Sequence, residues 1–156
     1  MIYIEEIPVE RIDKFWKIHF EYLICDDIID TDEDKAYFQS DEYRECLKSH
    51  MLRNLDKHHM VYFVENDNYI GAAQYTTYHS EDGKCLILDF WVFQEYRGNG
   101  TGHRCFQALE EYTKNYGALY FEINCEKENA HRFWLNQGFV DYGIDEYGMP
   151  LMIKKD

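Results

Sequence analysis

Arg97-Gly98-Asn99-Gly100-Thr101-Gly102 is the stretch on which the reading of this chain turns. It follows an apolar run, Cys85–Phe93, and precedes a segment with helical periodicity from about Thr101 to Asn115. Glycines at alternate positions remove Cβ atoms from the path of an approaching ligand. The helix that follows begins with amides that have no intrahelical partner, and these point back into the loop. With the helix dipole they make an anion site, and Arg97 adds a planar cation beside it. Each charge-assisted bond is worth about 1.5–3 kcal/mol, so three or four would anchor a diphosphate. A micromolar complex needs about 8 kcal/mol, so the rest of such a ligand must contribute too. The loop is G-x-G-x-G, not the G-x-G-x-x-G of dinucleotide-binding folds. Gly102 is followed by His103 and Arg104 rather than by Lys-Ser/Thr, which excludes a P-loop. A ligand-free glycine turn is the plain alternative; Arg97 and the strand–loop–helix setting weigh against it.

Working outward, Met1–Ile7 alternates like a strand, and Pro8 opens a helical stretch with Ile12, Phe15, Trp16, His19, Tyr22 and Leu23 on one stripe. The acidic run Asp26, Asp27, Asp30, Asp32, Glu33, Asp34 interrupts it and reads as a solvated helix end and loop, with a local cluster that steers a cationic substrate as the alternative. A second helical region spans about Asp41 to Leu55, with a stripe of Tyr43, Cys46, Leu47, His50, Met51 and Leu55. A meander follows: a strand from Met60, turn residues Asn66-Asp67-Asn68, a strand Tyr69–Tyr78, the turn Glu81-Asp82-Gly83-Lys84, and the strand Cys85–Phe93. Beyond the glycine loop and its helix, Gly117 sits where a C-terminal cap belongs. Then come a strand Ala118–Cys125, a short helix with Ala130, Phe133 and Trp134 inward, and strands Phe139–Tyr142 and Pro150–Lys154. The order β-α-α-β-β-β-α-β-α-β-β is an α+β pattern around a mixed sheet.

The 156 residues predict one domain, 1–156, with a sizeable core. Sixteen Lys and Arg stand against thirty Asp and Glu, a net charge of −14. That balance argues against nucleic acid and anionic membrane as partners, which need a basic footprint. It favours a cationic or neutral substrate, and confines anion binding to local backbone dipoles. Cys25, Cys46, Cys85, Cys105 and Cys125 are far apart and have no zinc spacing; most have apolar flanks and read as core thiols of a reducing compartment. Glu5 and Glu6 stand where a signal peptide carries cations, and no apolar run approaches 18 residues, so the expected location is cytoplasmic. The histidines (among them His58, His59, His79 and His131) show no metal-ligand spacing, and no metal is expected.

Arg97, Gly100 and Gly102 fit the Gln/Arg-x-x-Gly-x-Gly/Ala signature that follows the fourth strand in the GNAT superfamily of N-acetyltransferases, which the chain resembles. The resemblance continues through Ala108-Leu109-Glu110-Glu111. It resumes at Ala130-His131-Arg132-Phe133-Trp134 and Gln137-Gly138-Phe139, which is similar to the family's A-x-x-F-Y-x-x-x-G-F. It implies a mixed, mostly antiparallel central sheet flanked by about four helices, and acetyl-CoA as cosubstrate in a cleft where Leu86–Phe93 and Leu119–Cys125 splay. By the same resemblance Arg97, Gly98, Asn99, Gly100, Thr101 and Gly102 hold the pyrophosphate. Backbone groups of Trp91 and Val92 run along the pantetheine, and Phe133 and Trp134 line the thiol end.

An alkylammonium with a pKa near 10.4 must lose a proton before it attacks, at a cost of about 4–5 kcal/mol at neutral pH. Asp89, charged within an apolar strand, is the expected catalytic residue, anchoring the ammonium and taking its proton directly or through water. Its alternative is a structural carboxylate on the solvent face. The family's general-acid Tyr is Trp134 here, which has no usable proton; Tyr142, Tyr147 or water would have to substitute. Lys127 stands where the family has a cofactor-contacting Asn. Tyr22, Asp26, Glu42 and Tyr43 are candidates for an acidic, aromatic acceptor wall, with surface acids beside core tyrosines as the alternative. The expected acceptor is a small-molecule amine. A peptide or protein amine, or a catalytically silent acyl-CoA-binding module, are the other readings, and a homodimer is compatible with all of them.

Overall fold

In the computed structural model, residues 1–155 are described. Seven strands form one sheet: β1 (Tyr3–Glu6), β2 (His58–Glu65), β3 (Asn68–Thr77), β4 (Lys84–Val92), β5 (Tyr120–Asn124), β6 (Val140–Ile144) and β7 (Pro150–Lys154). Their order across the sheet is β1-β2-β3-β4-β5-β7-β6. Every pairing is antiparallel except β4 with β5. The helices are α1 (Ile12–Cys25), α2 (Asp32–Phe38), α3 (Asp41–Met51), α4 (Thr101–Asn115) and α5 (Glu128–Asn136). This is the mixed, mostly antiparallel sheet with flanking helices that the sequence predicts. None of the described helices is long and apolar enough to cross a membrane.

Each face of the sheet is covered separately. Cys105, Phe106 and Leu109 of α4 and Trp134 of α5 pack on Phe63, Ile87 and Phe121 on one side. Ile12, Phe15 and Trp16 of α1 and Leu47 of α3 pack on Met60, Tyr62 and Trp91 on the other. Burying such side chains contributes about 1.5–3 kcal/mol each, which is what holds these amphipathic helices on the sheet.

Three expectations are corrected. The acidic run is not only loop. Asp32, Glu33 and Asp34 form the first turn of α2, where negative charge favours the helix dipole, and the Thr31 hydroxyl accepts the Asp34 amide at 3.0 Å. The second helical region stops at Met51, with Leu52 and Leu55 exposed, so its stripe is shorter than the spacing suggests. Only Cys85, Cys105 and Cys125 are core thiols; Cys25 and Cys46 are exposed.

One irregularity positions the site. Gln74 of β3 pairs with Asp89, but its neighbour Tyr75 pairs with Ile87, so Leu88 is an extra residue in β4. Such a bulge resets the alternation of side chains between the two faces. Cys85 and Ile87 point to the α4 side, while Asp89 and Trp91 beyond the bulge point to the α1 side. In a regular strand that paired Leu88 in turn, Asp89 would continue the α4 face.

Candidate active site

The parallel pairing of β4 and β5 ends at Ile87 with Ile123. The remainder of β4, Leu88 to Val92, runs on without a partner on that side, and a cavity of about 780 Å³ opens there. Its walls include Phe90, Trp91 and Val92 of β4, Gly98, Gly100, Thr101 and Gly102 of the loop, and Phe133 and Trp134 of α5. Tyr22, Asp26 and Arg97 also reach it. Of the residues the sequence assigned to the loop, Asn99 alone does not line this cavity.

The three glycines divide the work. Gly98 and Gly100 have φ of +93° and +75°, left-handed values that favour glycine, and a Cβ on either would meet nothing within 4 Å. Gly102 has an ordinary backbone, but its Cβ would come within 2.9 Å of the Phe133 ring. It lets α4 approach α5, a packing role the sequence reading did not separate from ligand approach. Gly100 is the N-cap of α4 and no side chain caps that end. The first turn also carries no acid. The Thr101 amide donates to the Gly98 carbonyl at 3.1 Å, and the Gly102 and His103 amides are left, with the positive end of the dipole, without a side-chain cap.

Arg97 is committed locally. Its Nε donates to the Val92 carbonyl at 2.8 Å, and its Nη2 donates to Asp26 Oδ2 at 2.9 Å. Lys127, at the N-cap of α5, donates to the Asp26 and Asp27 carbonyls, both at 2.7 Å. The C-terminal end of α1 is thus clamped across the cavity mouth by two cations. Asp26 faces a guanidinium, and Glu42 is exposed on α3. Neither joins Asp89 in an acidic wall.

Asp89 is not among the residues that line this cavity; it points to the α1 side of the sheet, with 19% of its side chain exposed. Its Oδ2 is 3.0 Å from His19 Nε2 and accepts the Gln74 amide at 2.9 Å. Aromatic rings surround it. Tyr22 stacks on Trp91 with centroids 4.5 Å apart, and His19 lies between Tyr43, Phe38 and Trp91. Burial, and then the Asp89 charge, push the Tyr22 and Tyr43 hydroxyls well above the usual phenol range, so both stay protonated. His19 is the residue whose role sequence reasoning missed. Its spacing put it on the buried stripe of α1, where it lies, but only the fold brings it against a carboxylate seventy positions away.

Trp134 is buried among Phe90, Phe106, Phe133 and Phe139. Tyr142 and Tyr147 are exposed and line no part of the cavity; Tyr22 is the tyrosine that does.

A residue order with one parallel strand pair, a splay beyond it and an uncapped glycine-led helix defines an acyl-transfer fold, and the comparisons agree. The family model of the acetyltransferase (GNAT) family matches residues 15–139, and the chain belongs to that family. Among solved structures it is similar to the PaiA N-acetyltransferase of Thermoplasma acidophilum in complex with coenzyme A. That match has 18% identity and a TM-score of 0.74, covering 100% of this chain and 99% of the other. It is also similar to an acetyltransferase of Thermus thermophilus, with 13% identity, a TM-score of 0.69 and coverage of 99% and 96%. A third is the aminoglycoside acetyltransferase AAC(6')-Ib in complex with coenzyme A and kanamycin, with 17% identity, a TM-score of 0.70 and coverage of 99% and 95%. At these identities the likeness is one of fold. No curated protein sequence matches the chain.

Proposed function

We propose that the protein transfers an acetyl group from acetyl-CoA to a primary amine of a small, cationic acceptor. The observation that carries this reading is the uncapped N-terminus of α4, which opens through Gly98 and Gly100 onto the unpaired half of β4. The fit to coenzyme A rests on that cradle: space without Cβ atoms, the uncapped amides of Gly102 and His103 for a diphosphate, and a free strand edge for an extended amide-bearing arm. When bound, acetyl-CoA supplies the activated acetyl group as a thioester.

The chain's own residues do the rest. Gly98 to Gly102 grip the diphosphate through main-chain nitrogens. The β4 edge at Trp91 and Val92 aligns the arm and offers amides to the thioester oxygen, where negative charge develops. Phe90, Phe133 and Trp134 exclude water from the thiol end. Asp89 meets the acceptor ammonium and takes a proton from it, leaving the amine nitrogen its electron pair for attack. The rings of Tyr22 and Tyr43 favour a cation beside that carboxylate. The similarity to an aminoglycoside acetyltransferase supports an amine of that type among the acceptors to be tried.

Thiol release from acetyl-CoA across a panel of aminoglycosides, polyamines, amino-acid derivatives and peptide N-termini tests the reading. At least one small amine is expected to stimulate release, and Asp89→Asn to slow it by 100-fold or more. Binding of coenzyme A with no stimulation by any amine would overturn the proposal; stimulation by peptides alone would redirect it to a peptide acceptor.

A further inference from the structure

Behind Asp89 a line of polar side chains runs into the sheet where apolar residues would be expected. His19, Gln74, His58 and Thr76 are between 1% and 4% exposed. Buried polar groups are costly unless bonded, and these are bonded to one another. The proton positions follow from the chemistry of the partners. Burial drives His58 down to about 4, so its ring is neutral and donates from one nitrogen only. The Gln74 carbonyl oxygen, which can only accept, is 2.8 Å from His58 Nε2, which therefore carries the proton. The Thr76 hydroxyl donates to His58 Nδ1 at 3.3 Å. With its oxygen held by His58, the Gln74 amide must turn its nitrogen to Asp89 Oδ2. His19 Nε2 lies 3.0 Å from the same carboxylate oxygen, which accepts, so Nε2 is the nitrogen that donates.

We infer that His19 is a positioning residue for acetyl transfer, donating from Nε2 to Asp89 Oδ2 so that Oδ1 is left to meet the acceptor ammonium and take its proton. The inference rests on the acetyl-transfer reading. In this step one N–H bond of the ammonium breaks, the nitrogen keeps the electron pair, and Asp89 Oδ1 forms the new O–H bond, so the carboxylate goes from a charge of −1 to 0 while His19 keeps its Nε2 proton. The groups facing His19 are Asp89 from β4, Gln74 from β3, Tyr43 from α3 and Tyr22 from α1 itself, with His58 one bond further along. Both tyrosines stay neutral, so the carboxylate is the charge that His19 senses.

Two measurements on the full chain test this. In an imidazole NMR spectrum at neutral pH, His19 should be the Nε2–H tautomer, and its Nε2 proton should lose its hydrogen-bonded shift in Asp89→Ala. An Nδ1–H tautomer in the wild type would overturn the pairing. In kinetics, His19→Phe should keep coenzyme A affinity but raise KM for the amine and lower kcat by at least 10-fold, since Asp89 is no longer pinned. His19→Gln keeps a donor toward Asp89 and should recover most of that loss. Wild-type kcat and KM in His19→Phe, or no recovery in His19→Gln, would overturn the inference. A wild type that binds coenzyme A but acetylates no amine would end the acetyl-transfer reading, and the positioning role with it, while the NMR tautomer would still report on the pair.

Discussion

Arg97 Nη2 lies 2.9 Å from Asp26 Oδ2, so the cation beside the glycine loop is tied to the end of α1. Both side chains are partly exposed, and such a pair contributes about 0–1 kcal/mol to stability. Its importance lies in what Arg97 is kept from doing. Asp26→Asn should leave the melting temperature within a few degrees while tightening coenzyme A several-fold, because the guanidinium then faces only the diphosphate. Calorimetric titration checks this; weaker binding would show instead that Asp26 organises Arg97 for the ligand.

The loop glycines should separate binding from folding. Gly100→Val adds a branched side chain at a φ of +75° on the ligand side, and should abolish coenzyme A binding while the protein stays folded. Gly102→Ala pushes a methyl to 2.9 Å from Phe133, an overpacking that costs about 1–3 kcal/mol. Its loss should appear first in thermal stability. Equal effects of both variants on affinity and on melting would contradict this division.

Stability should fall in mild acid through His58. Its folded value, about 4, lies below the 6.5 of an unfolded histidine, so the unfolded chain takes up the proton first. The stabilisation is complete above about pH 6.5 and is lost as pH drops through about 4, roughly 3 kcal/mol in all. Denaturant midpoints of wild type and His58→Gln between pH 7 and pH 4 should converge by that amount. Parallel curves would contradict the assignment.

Thiol reactivity should split two to three. Burial pushes the Cys85 and Cys105 thiols up to about 12 and raises Cys125 as well, whereas Cys25 and Cys46 are exposed. An alkylating reagent at neutral pH should modify two thiols quickly in the native protein and the other three only on unfolding, counted by mass spectrometry.

How much of this was legible in the sequence depended on whether the signal was local. The helix Thr101–Asn115 is found where it was expected because glycines mark both ends, Gly100 as N-cap and Gly117 just beyond Tyr116. Pro150–Lys154 likewise matches. The short helix α2 was lost because acidic residues serve equally as solvated loop and as a first helical turn. Asp89 was singled out as a charge in an apolar strand, but its partners were not. Period shows which face of α1 carries His19; it does not show that Gln74 and Asp89 converge on that ring. The bulge left no mark either, since Leu88 continues an apolar run and brings no glycine or proline with it.

That single extra leucine has a consequence for how this enzyme is matched with others. Strands that lack it run one position out of phase beyond Ile87, and a gap-free superposition of letters would look for the carboxylate on the opposite side of the sheet. Deleting Leu88 should restore regular alternation and keep Asp89 toward α1 and Phe90 toward α4, whereas a regular strand that kept Leu88 would turn Asp89 toward α4. Grafting an acidic residue into a related scaffold therefore requires copying the spacing of the backbone before copying the side chain.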